Sequence, residues 1–417
     1  MLAAAGATAG SLPGWPQPDA SMHSTTPPSL HHALIDTTTK PLPAHRLSSP
    51  PRHCSTQVPV PTWINTPEQL DAYRRLQPQR IGLDTEFIRE RTYWPQLALV
   101  QMAIGEHILL IDPLQPGMAA ALRPWLEDTS ITKIMHSASE DLVAFQHACG
   151  AVPRPLFDTQ IAAALAGIGA GMGYQKLVAQ LTGVELEKGE QRSDWMRRPL
   201  SDSQLHYAAA DVIHLFALHD HLSSSLQQQQ RIQWQMEDAN RLVDGIANDT
   251  GERWPHLSMR AAQFLDTGAQ QRLLRLLRWR DAHARSSDKP RSWILDNELA
   301  CSLAKNPPAS AQALDAVLER NPKAPRKLAA AIWQALSTPL ADEALAPLAT
   351  DNSDRLRAPL KRLQQAVAAQ AAEIGLPDGV LASRKQLEAW LELGQPPASL
   401  TPWRRQLLQP LLSPLLP

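Results

Sequence analysis

The chain has 417 residues, enough for two or three domains, and its 43% hydrophobic content is that of a soluble globular protein. Forty basic against 41 acidic residues leave a formal net charge of −1, which excludes a globally basic nucleic-acid-binding surface and confines any such contact to local patches. Three far-separated cysteines (Cys54, Cys149, Cys301) exclude a disulfide framework and a zinc knuckle and fit a reducing compartment, and there is no apolar run of roughly 18 residues to cross a membrane.

From Leu12 to Pro61 the chain is dominated by Pro, Ser, Thr and His, without periodicity, and Pro-Pro pairs at 27–28 and 50–51 break any helix. No basic segment precedes an apolar one, so this is read as a disordered tail, or a start codon placed too far upstream, and not as a signal peptide. Order begins near Trp63, and Thr66-Pro67-Glu68-Gln69 has the form of a helix start. Ile81–Phe87 reads as the first strand. In it an apolar run carries into Asp84 and Glu86, which at i and i+2 project from the same face. Two adjacent carboxylates repel unless a cation lies between them, and a hard divalent ion is the natural occupant. A strand that merely ends in acidic residues at a turn is the ordinary alternative, and one Asp-x-Glu does not choose between them.

Leu97–Ile104 and His107–Asp112 are apolar runs around Gly105-Glu106 and read as a hairpin joined to that strand. A helix over Met118–Leu126 and a strand over Ile131–His136 follow. Ser137-x-x-Glu140 is a capping-box pattern opening a helix to about Cys149, with Asp141 in its first turn. Phe157-Asp158-Thr159 starts a helix rich in alanine. The glycine-rich stretch Gly167–Gly173 lacks a Gly-Lys-Ser/Thr ending and follows a helix, so it reads as a flexible helix–helix turn; no Walker A motif occurs anywhere, which excludes an ATP-driven helicase and any call for ATP. Ser201-x-x-Gln204 is another capping box. It opens a helix whose stripe is Leu205, Ala208, Val212, Leu215 and Leu222, with Tyr207 and Asp211 sharing a face at i, i+4.

A helical connector runs from Ser224 to about Asn248, and Pro255 marks a boundary. Between Arg272 and Arg291 seven basic residues (Arg272, Arg275, Arg278, Arg280, Arg285, Lys289, Arg291) stand against only Asp281 and Asp288. A phosphate-contacting surface and the solvated face of a small bundle fit this equally well. Thr350–Ser353 is a polar break, and a last helical unit runs from Leu356 to the end with caps at Ser383 and Thr401.

Taken in order, Asp84-x-Glu86, His136-Ser-Ala-Ser-Glu-Asp141 and Tyr207-Ala-Ala-Ala-Asp211 resemble the three exonuclease motifs of the DEDD superfamily, in the Tyr-x-x-x-Asp form of its tyrosine subgroup; the aspartates are 57 and 70 residues apart. The words Asp84-Thr-Glu-Phe87, Ser193-Asp-Trp-Met-Arg-Arg-Pro199 and Tyr207-Ala-Ala-Ala-Asp-Val212 are similar to those of the ribonuclease D family, over about residues 60–225. Trp279–Arg285 with Lys289–Asp296 resembles the HRDC domain, a small helical nucleic-acid-binding module, and Leu381–Leu387 to Trp403–Arg405 resembles a divergent second copy. Nothing in the first 60 or so residues matches the family, and His136 stands where many relatives have Asn.

The resemblance implies an α/β fold: an RNase H-like mixed sheet flanked by helices, followed by one or two small all-α HRDC bundles. The implied division is a tail (1–60), the exonuclease domain (61–226), a helical connector (227–266), an HRDC domain (267–348) and a second HRDC-like domain (354–417). It implies a 3'-5' exoribonuclease that releases nucleoside 5'-monophosphates with two divalent ions, Mg²⁺ or Mn²⁺. Asp84 would bridge the ions, Glu86 and Asp211 complete the first site, Asp141 support the second partly through water, and Tyr207 orient the attacking water. Thr85, Phe87, His136, Gln191, Arg192 and Trp195 are candidate substrate contacts, although Phe87 fits a core position and His136 a structural one. The implied partner is RNA, in particular tRNA precursors with 3' extensions, and the implied state a cytoplasmic monomer away from membranes. Three alternatives stay open: a DEDD exonuclease acting on DNA, a non-catalytic RNA-binding protein, and an interaction protein built on the helical tail.

Overall fold

Six strands make one mixed sheet: β1 (Thr62–Ile64), β2 (Arg80–Ile88), β3 (Gln96–Ile104), β4 (His107–Ile111), β5 (Thr132–Met135) and β6 (Leu156–Asp158), in the spatial order β1-β4-β3-β2-β5-β6. This computed structural model describes residues 60–186, 189–190, 192–350 and 353–416; residues 1–59, read above as a tail, and Gln191 lie outside the described residues. The hairpin β3–β4 and its antiparallel pairing with β2 agree with the apolar runs, and β5 and β6 add in parallel. The strand of Asp84 is the second, not the first. β1 precedes it and pairs in parallel with β4, and three residues are too few to show an alternation in sequence.

The sheet is covered on both faces. Helices α1 (Pro67–Asp71), α2 (Met118–Glu127) and α3 (Ser139–Cys149) belong to one side, where Leu83, Val100 and Met102 pack with Leu122, Trp125, Leu142 and Phe145. On the other side α4 (Thr159–Leu165), α5 (Tyr174–Thr182), α6 (Asp202–Ile213) and α7 (Leu215–Gln228) bury Ala103 and Ile134 with Leu165, Leu177, Val212 and Leu218. α8 (Ile232–Ala247) adds Ala239 and Val243 to the first side. Thr66 and Ser201 form the capping boxes read from the sequence, with Gln69 and Gln204 reaching back.

Three local expectations are corrected. Ser137 does not cap α3: it sits at φ +58, the helix starts at Ser139, and Asp158 accepts from the backbone N–H of Ser137 (3.2 Å) and Ala138 (2.8 Å) instead. Phe157-Asp158 ends a strand before α4 begins, and the same Asp158 carboxylate caps α4 through Gln160 N (2.8 Å) and Ile161 N (3.1 Å). The helix opened by Ser201 is interrupted at His214, so Leu215 and Leu222 belong to α7.

A second helical unit comprises α9 (Thr267–Ser287), α10 (Arg291–Ile294), α11 (Asn297–Lys305), α12 (Ala311–Glu319) and α13 (Ala329–Ser337) around Leu273, Leu277, Leu303, Leu318 and Ile332. Arg275, Arg278 and Arg285 are met by acids from distant segments and are fastened into structure, whereas Arg272 and Arg280 reach only neutral oxygens. Arg275 grips Glu343 with two hydrogen bonds (2.5 and 2.6 Å), Arg278 pairs with Asp342 (2.7 Å), Arg285 with Asp249 and Asp281 (both 2.8 Å), and Arg291 with Asp281 (2.5 Å).

The chain then returns to the sheet-containing body. α14 (Ser353–Glu373), α15 (Arg384–Leu393) and α16 (Pro402–Leu412) contribute Leu363, Val367, Leu387, Trp390 and Leu408 to the same apolar cluster as α4, α5 and α7. Ser383 forms its expected capping box, whereas the Thr401 hydroxyl accepts from Arg404 Nη1 (2.9 Å) and makes no cap bond. Trp234 of α8 stacks on Trp403 at 4.3 Å and 6°. Gly167 is held here and not a free turn: at φ +81, a Cβ on it would meet the Gly375 carbonyl oxygen at 2.5 Å. No helix among the described residues is long and apolar enough to cross a membrane.

Candidate active site

β2 alternates its side chains, so Thr85 is buried toward α3 while Asp84 and Glu86 face α6. The pairing with β3 runs Asp84↔Gln101 and Glu86↔Leu99, then shifts to Phe87↔Leu97. This bulge just past Glu86 bends the strand end, a device that re-aims a side chain beside a site. On α6, Tyr207 and Asp211 stand one turn apart, and the Tyr207 hydroxyl hydrogen-bonds the Asp211 carboxylate. Carboxylate oxygens of Asp84, Glu86 and Asp211 lie within 4.8 Å of one another. Asp141, in the first turn of α3, is 8% exposed and accepts a hydrogen bond from the Thr85 hydroxyl. Asp84, Glu86, His136, Tyr174, Tyr207 and Asp211 line a cleft of about 640 Å³.

Burial and mutual repulsion load this cluster. Burial, then the charges of Asp141, Asp211 and Glu86, hold Asp84 well above the usual carboxylate range. Burial and the Asp211 and Asp141 charges raise Glu86 to about 9. Asp141 and Asp211 are raised by burial to about 7, with the hydrogen bonds from Thr85 and Tyr207 pulling the other way. None of the four forms an ion pair among the described residues. Crowded, half-buried, oxygen-only donors of one sign fit a hard divalent cation and suit no soft metal.

The candidate substrate contacts divide. Thr85 and His136 border the cleft, although His136 already bonds Thr159 Oγ1 (2.9 Å) and the Met172 carbonyl (3.0 Å). Phe87 packs partly into the core. Trp195 is corrected: it is 2% exposed among Ala98, Leu99, Leu110 and Leu200, 6.0 Å from the Tyr207 ring, and offers no face on which a base could stack. Arg192 is exposed and does not line the cleft.

Neighbouring Arg198 explains the rest of that sequence word. Its guanidinium holds Asp112 at the end of β4 (2.6 and 3.1 Å) and the carbonyls of Trp195 (2.8 Å) and Ala98 (2.6 Å), which fixes the segment leading into α6.

Two residues were missed. The Tyr174 hydroxyl donates to the Ala210 carbonyl (3.2 Å) and accepts from His214 N (3.3 Å), which ties the first turn of α5 to the junction of α6 and α7 and makes Tyr174 a wall of the cleft. Gln101, cross-strand from Asp84, is 0% exposed, and its amide has no hydrogen-bond partner among the described residues. Its only sequence signal is that it is the one polar residue within the apolar run Leu97–Ile104.

The chain is similar to known proteins over most of its length. A family model described as a 3'-5' exonuclease matches residues 61–227, and the HRDC domain model matches residues 269–336. The chain is 63% identical to ribonuclease D of Xanthomonas oryzae pv. oryzae, covering 86% of this chain and 99% of that protein. It is 35% identical to ribonuclease D of Pseudomonas paraeruginosa, covering 80% and 90%. The crystal structure of Escherichia coli RNase D, an exoribonuclease involved in structured RNA processing, superposes with a TM-score of 0.72 at 30% identity, covering 85% of this chain and 98% of that one.

Proposed function

The chain belongs to the ribonuclease D family of 3'-5' exoribonucleases and acts on RNA, and from that premise we propose how its carboxylate cleft works and which RNA it trims. The family is divalent-metal dependent. Our reading is two ions, Mg²⁺ or Mn²⁺, which Asp84, Glu86 and Asp211 would hold together with Asp141 in support. The observation that carries it is the convergence of Asp84, Glu86 and Asp211 within 4.8 Å, with the Asp141 charge close enough to raise both Asp84 and Glu86.

Bound divalent cations supply an activated water and neutralise charge on the attacking and leaving oxygens. The chain's own groups do the positioning. Thr85 fixes the Asp141 carboxylate, and Asp211 fixes the Tyr207 hydroxyl. A phenol with a pKa of about 10 is a poor base at neutral pH, so Tyr207 orients the water and does not deprotonate it. The backbone beside Thr85 and the His136 ring border the terminal nucleotide, supported by their place on the cleft wall. The product is a nucleoside 5'-monophosphate.

We propose tRNA precursors with 3' extensions as the substrate, and a monomeric, cytoplasmic enzyme. The compartment is supported by Cys149 and Cys301, which stand as free thiols. The test is release of mononucleotides by the purified full chain from a 3'-extended tRNA with Mn²⁺, with and without chelator, beside matched RNA and DNA strands. Stepwise loss from the RNA 3' end that stops with chelator is expected. Equal degradation of DNA would move the substrate assignment, and no release from any strand would leave an RNA-binding protein without catalysis.

A further inference from the structure

A second cleft, of about 470 Å³, opens where the loop after β2 meets the α9–α10 unit, and Arg89, Thr92, Tyr93, Arg280, Arg291 and Asn297 line it. Its walls are docked to each other. Asp288 Oδ1 accepts from the backbone N–H of both Tyr93 and Trp94 (3.0 Å each), Trp94 Nε1 donates to the Arg285 carbonyl (3.2 Å), and Tyr93 is buried against Ala284 and Ile294.

The charge in this cleft is unbalanced. Acids answer Arg275, Arg278 and Arg285 on α9, but the Arg280 guanidinium reaches only neutral oxygens, the Leu295 carbonyl (3.0 Å) and Asn297 Oδ1 (2.7 Å), and its Nε is buried without a partner among the described residues. Burial and the neighbouring Arg291 charge push its pKa down, against the nearby Asp281 and Asp296 charges, neither of which it hydrogen-bonds. Arg291 in turn shares Asp281 with Arg285, and Arg89 is tied to Glu140 at 2.9 Å. Exposed Glu90 is the acid on the rim. A half-buried cation with no acid in direct hydrogen-bond contact is costly, and a second cation beside it adds to the cost; one anion between Arg280 and Arg291 relieves both. Guanidinium forks match phosphate oxygens in geometry as well as in charge.

The place of the cleft says which phosphate. Arg89 follows Glu86 by three residues and stands just past the end of β2 beyond its bulge, at most roughly 10 Å away along the chain. At about 3.4 Å per stacked nucleotide, an RNA whose last nucleotide lies at Asp84 and Glu86 reaches it within some three nucleotides. Trp293, on the same short helix as Arg291, is 55% exposed, and an exposed indole is a stacking platform for a base.

We propose that this cleft binds the RNA strand a few nucleotides upstream of the 3' end, with Arg280 and Arg291 taking a phosphodiester, Arg89 flanking it and Trp293 stacking a base. The assignment rests on the reading that the 3' end sits at Asp84 and Glu86.

The first test needs no change in the cleft. The full-length Asp84→Asn chain, bound to single-stranded RNAs carrying 4-thiouridine at the third to fifth position from the 3' end, is crosslinked and mapped. Crosslinks within residues 289–297 are expected; crosslinks confined to other segments overturn the proposal. Next, Arg280→Gln and Trp293→Ala are compared with the unaltered chain on a long single strand and on a dinucleotide. For the long strand we expect KM to rise about tenfold for Trp293→Ala, and the salt slope of kcat/KM to flatten by about 0.7 for Arg280→Gln, with dinucleotide cleavage unchanged. Unchanged KM and slope in both variants would refute the site, as would inorganic phosphate protecting Arg280 while leaving long-strand KM untouched, the mark of a free-anion site. Loss of dinucleotide cleavage by the unaltered chain would count against the catalytic reading and not against the cleft. Trp293→Ala and the crosslinks keep the proposal exposed to failure even where Arg280→Gln disturbs folding.

Discussion

At the end of β2, four carboxylates crowd together with no ion-pair partner among the described residues, whereas along α9 Arg275, Arg278 and Arg285 are each met by an acid from a distant segment. Both regions gather charges of one sign, and they differ in what the fold brings to them. Charges that the fold neutralises are fastened into structure. Charges that it buries and leaves facing one another are kept for something that arrives from outside. Arg280 belongs with the second kind although it sits on the helix of the first.

The sharpest test of this contrast is Asp84→Asn. Cleavage should fall by at least about 10³-fold, because several kcal/mol of metal-borne charge stabilisation go with the ligand. Without divalent ions the melting temperature should hold or rise, since one repelling charge is gone; a clear drop would place Asp84 among the structural charges. The mirror experiment is Glu343→Ala, which strands Arg275 with its side chain 14% exposed. It should cost about 3 kcal/mol in denaturant unfolding while a short RNA is cut at the normal rate. Lost cleavage at full stability would break the comparison from the other side.

Acidity gives a third test. The native pKa values of Asp141 and Asp211 (about 7) and Glu86 (about 9) are raised above those of the unfolded chain, so between pH 4 and 9 the native state holds more protons. The stability these groups contribute is therefore complete at low pH and is lost as pH rises through their native values. In chelator, the melting temperature should fall by roughly 5 °C from pH 5 to pH 9, and Mn²⁺ should restore more of it at pH 8 than at pH 5. A flat profile in chelator would show that the cluster is not strained by its own charge. The smallest effect expected is that of Tyr207→Phe: kcat lower by about tenfold, with KM and Mn²⁺ affinity unchanged, because only an orienting hydroxyl is removed. A matching loss of Mn²⁺ affinity would show that its bond to Asp211 holds the ligand set together.

Local rules read much of this molecule. The i, i+2 and i, i+4 spacings placed Asp84 beside Glu86 and Tyr207 beside Asp211, and the boxes at Thr66, Ser201 and Ser383 were legible because a cap needs only four consecutive residues. What escaped was settled at long range. Asp158 took the cap that Ser137 offered, because β6 ends beside the start of α3. Trp195 lies in the core because Arg198 pulls its segment onto Asp112. The acids that answer α9 come from residues 249, 342 and 343, and nothing near Arg275 in sequence announces Glu343.

The return of α14–α16 to the apolar cluster of α4, α5 and α7 gives the α9–α13 unit two anchors in place of one. A module hung on a single linker searches a volume, and its help to catalysis is set by tether length. A module closed at both ends, and stapled by Asp288 to the loop after β2, has almost no volume to search. Its contribution is then a fixed distance and not a local concentration. RNAs should be sorted by whether the gap between a fold and its 3' end matches that distance, so that trimming slows at a set number of protruding nucleotides.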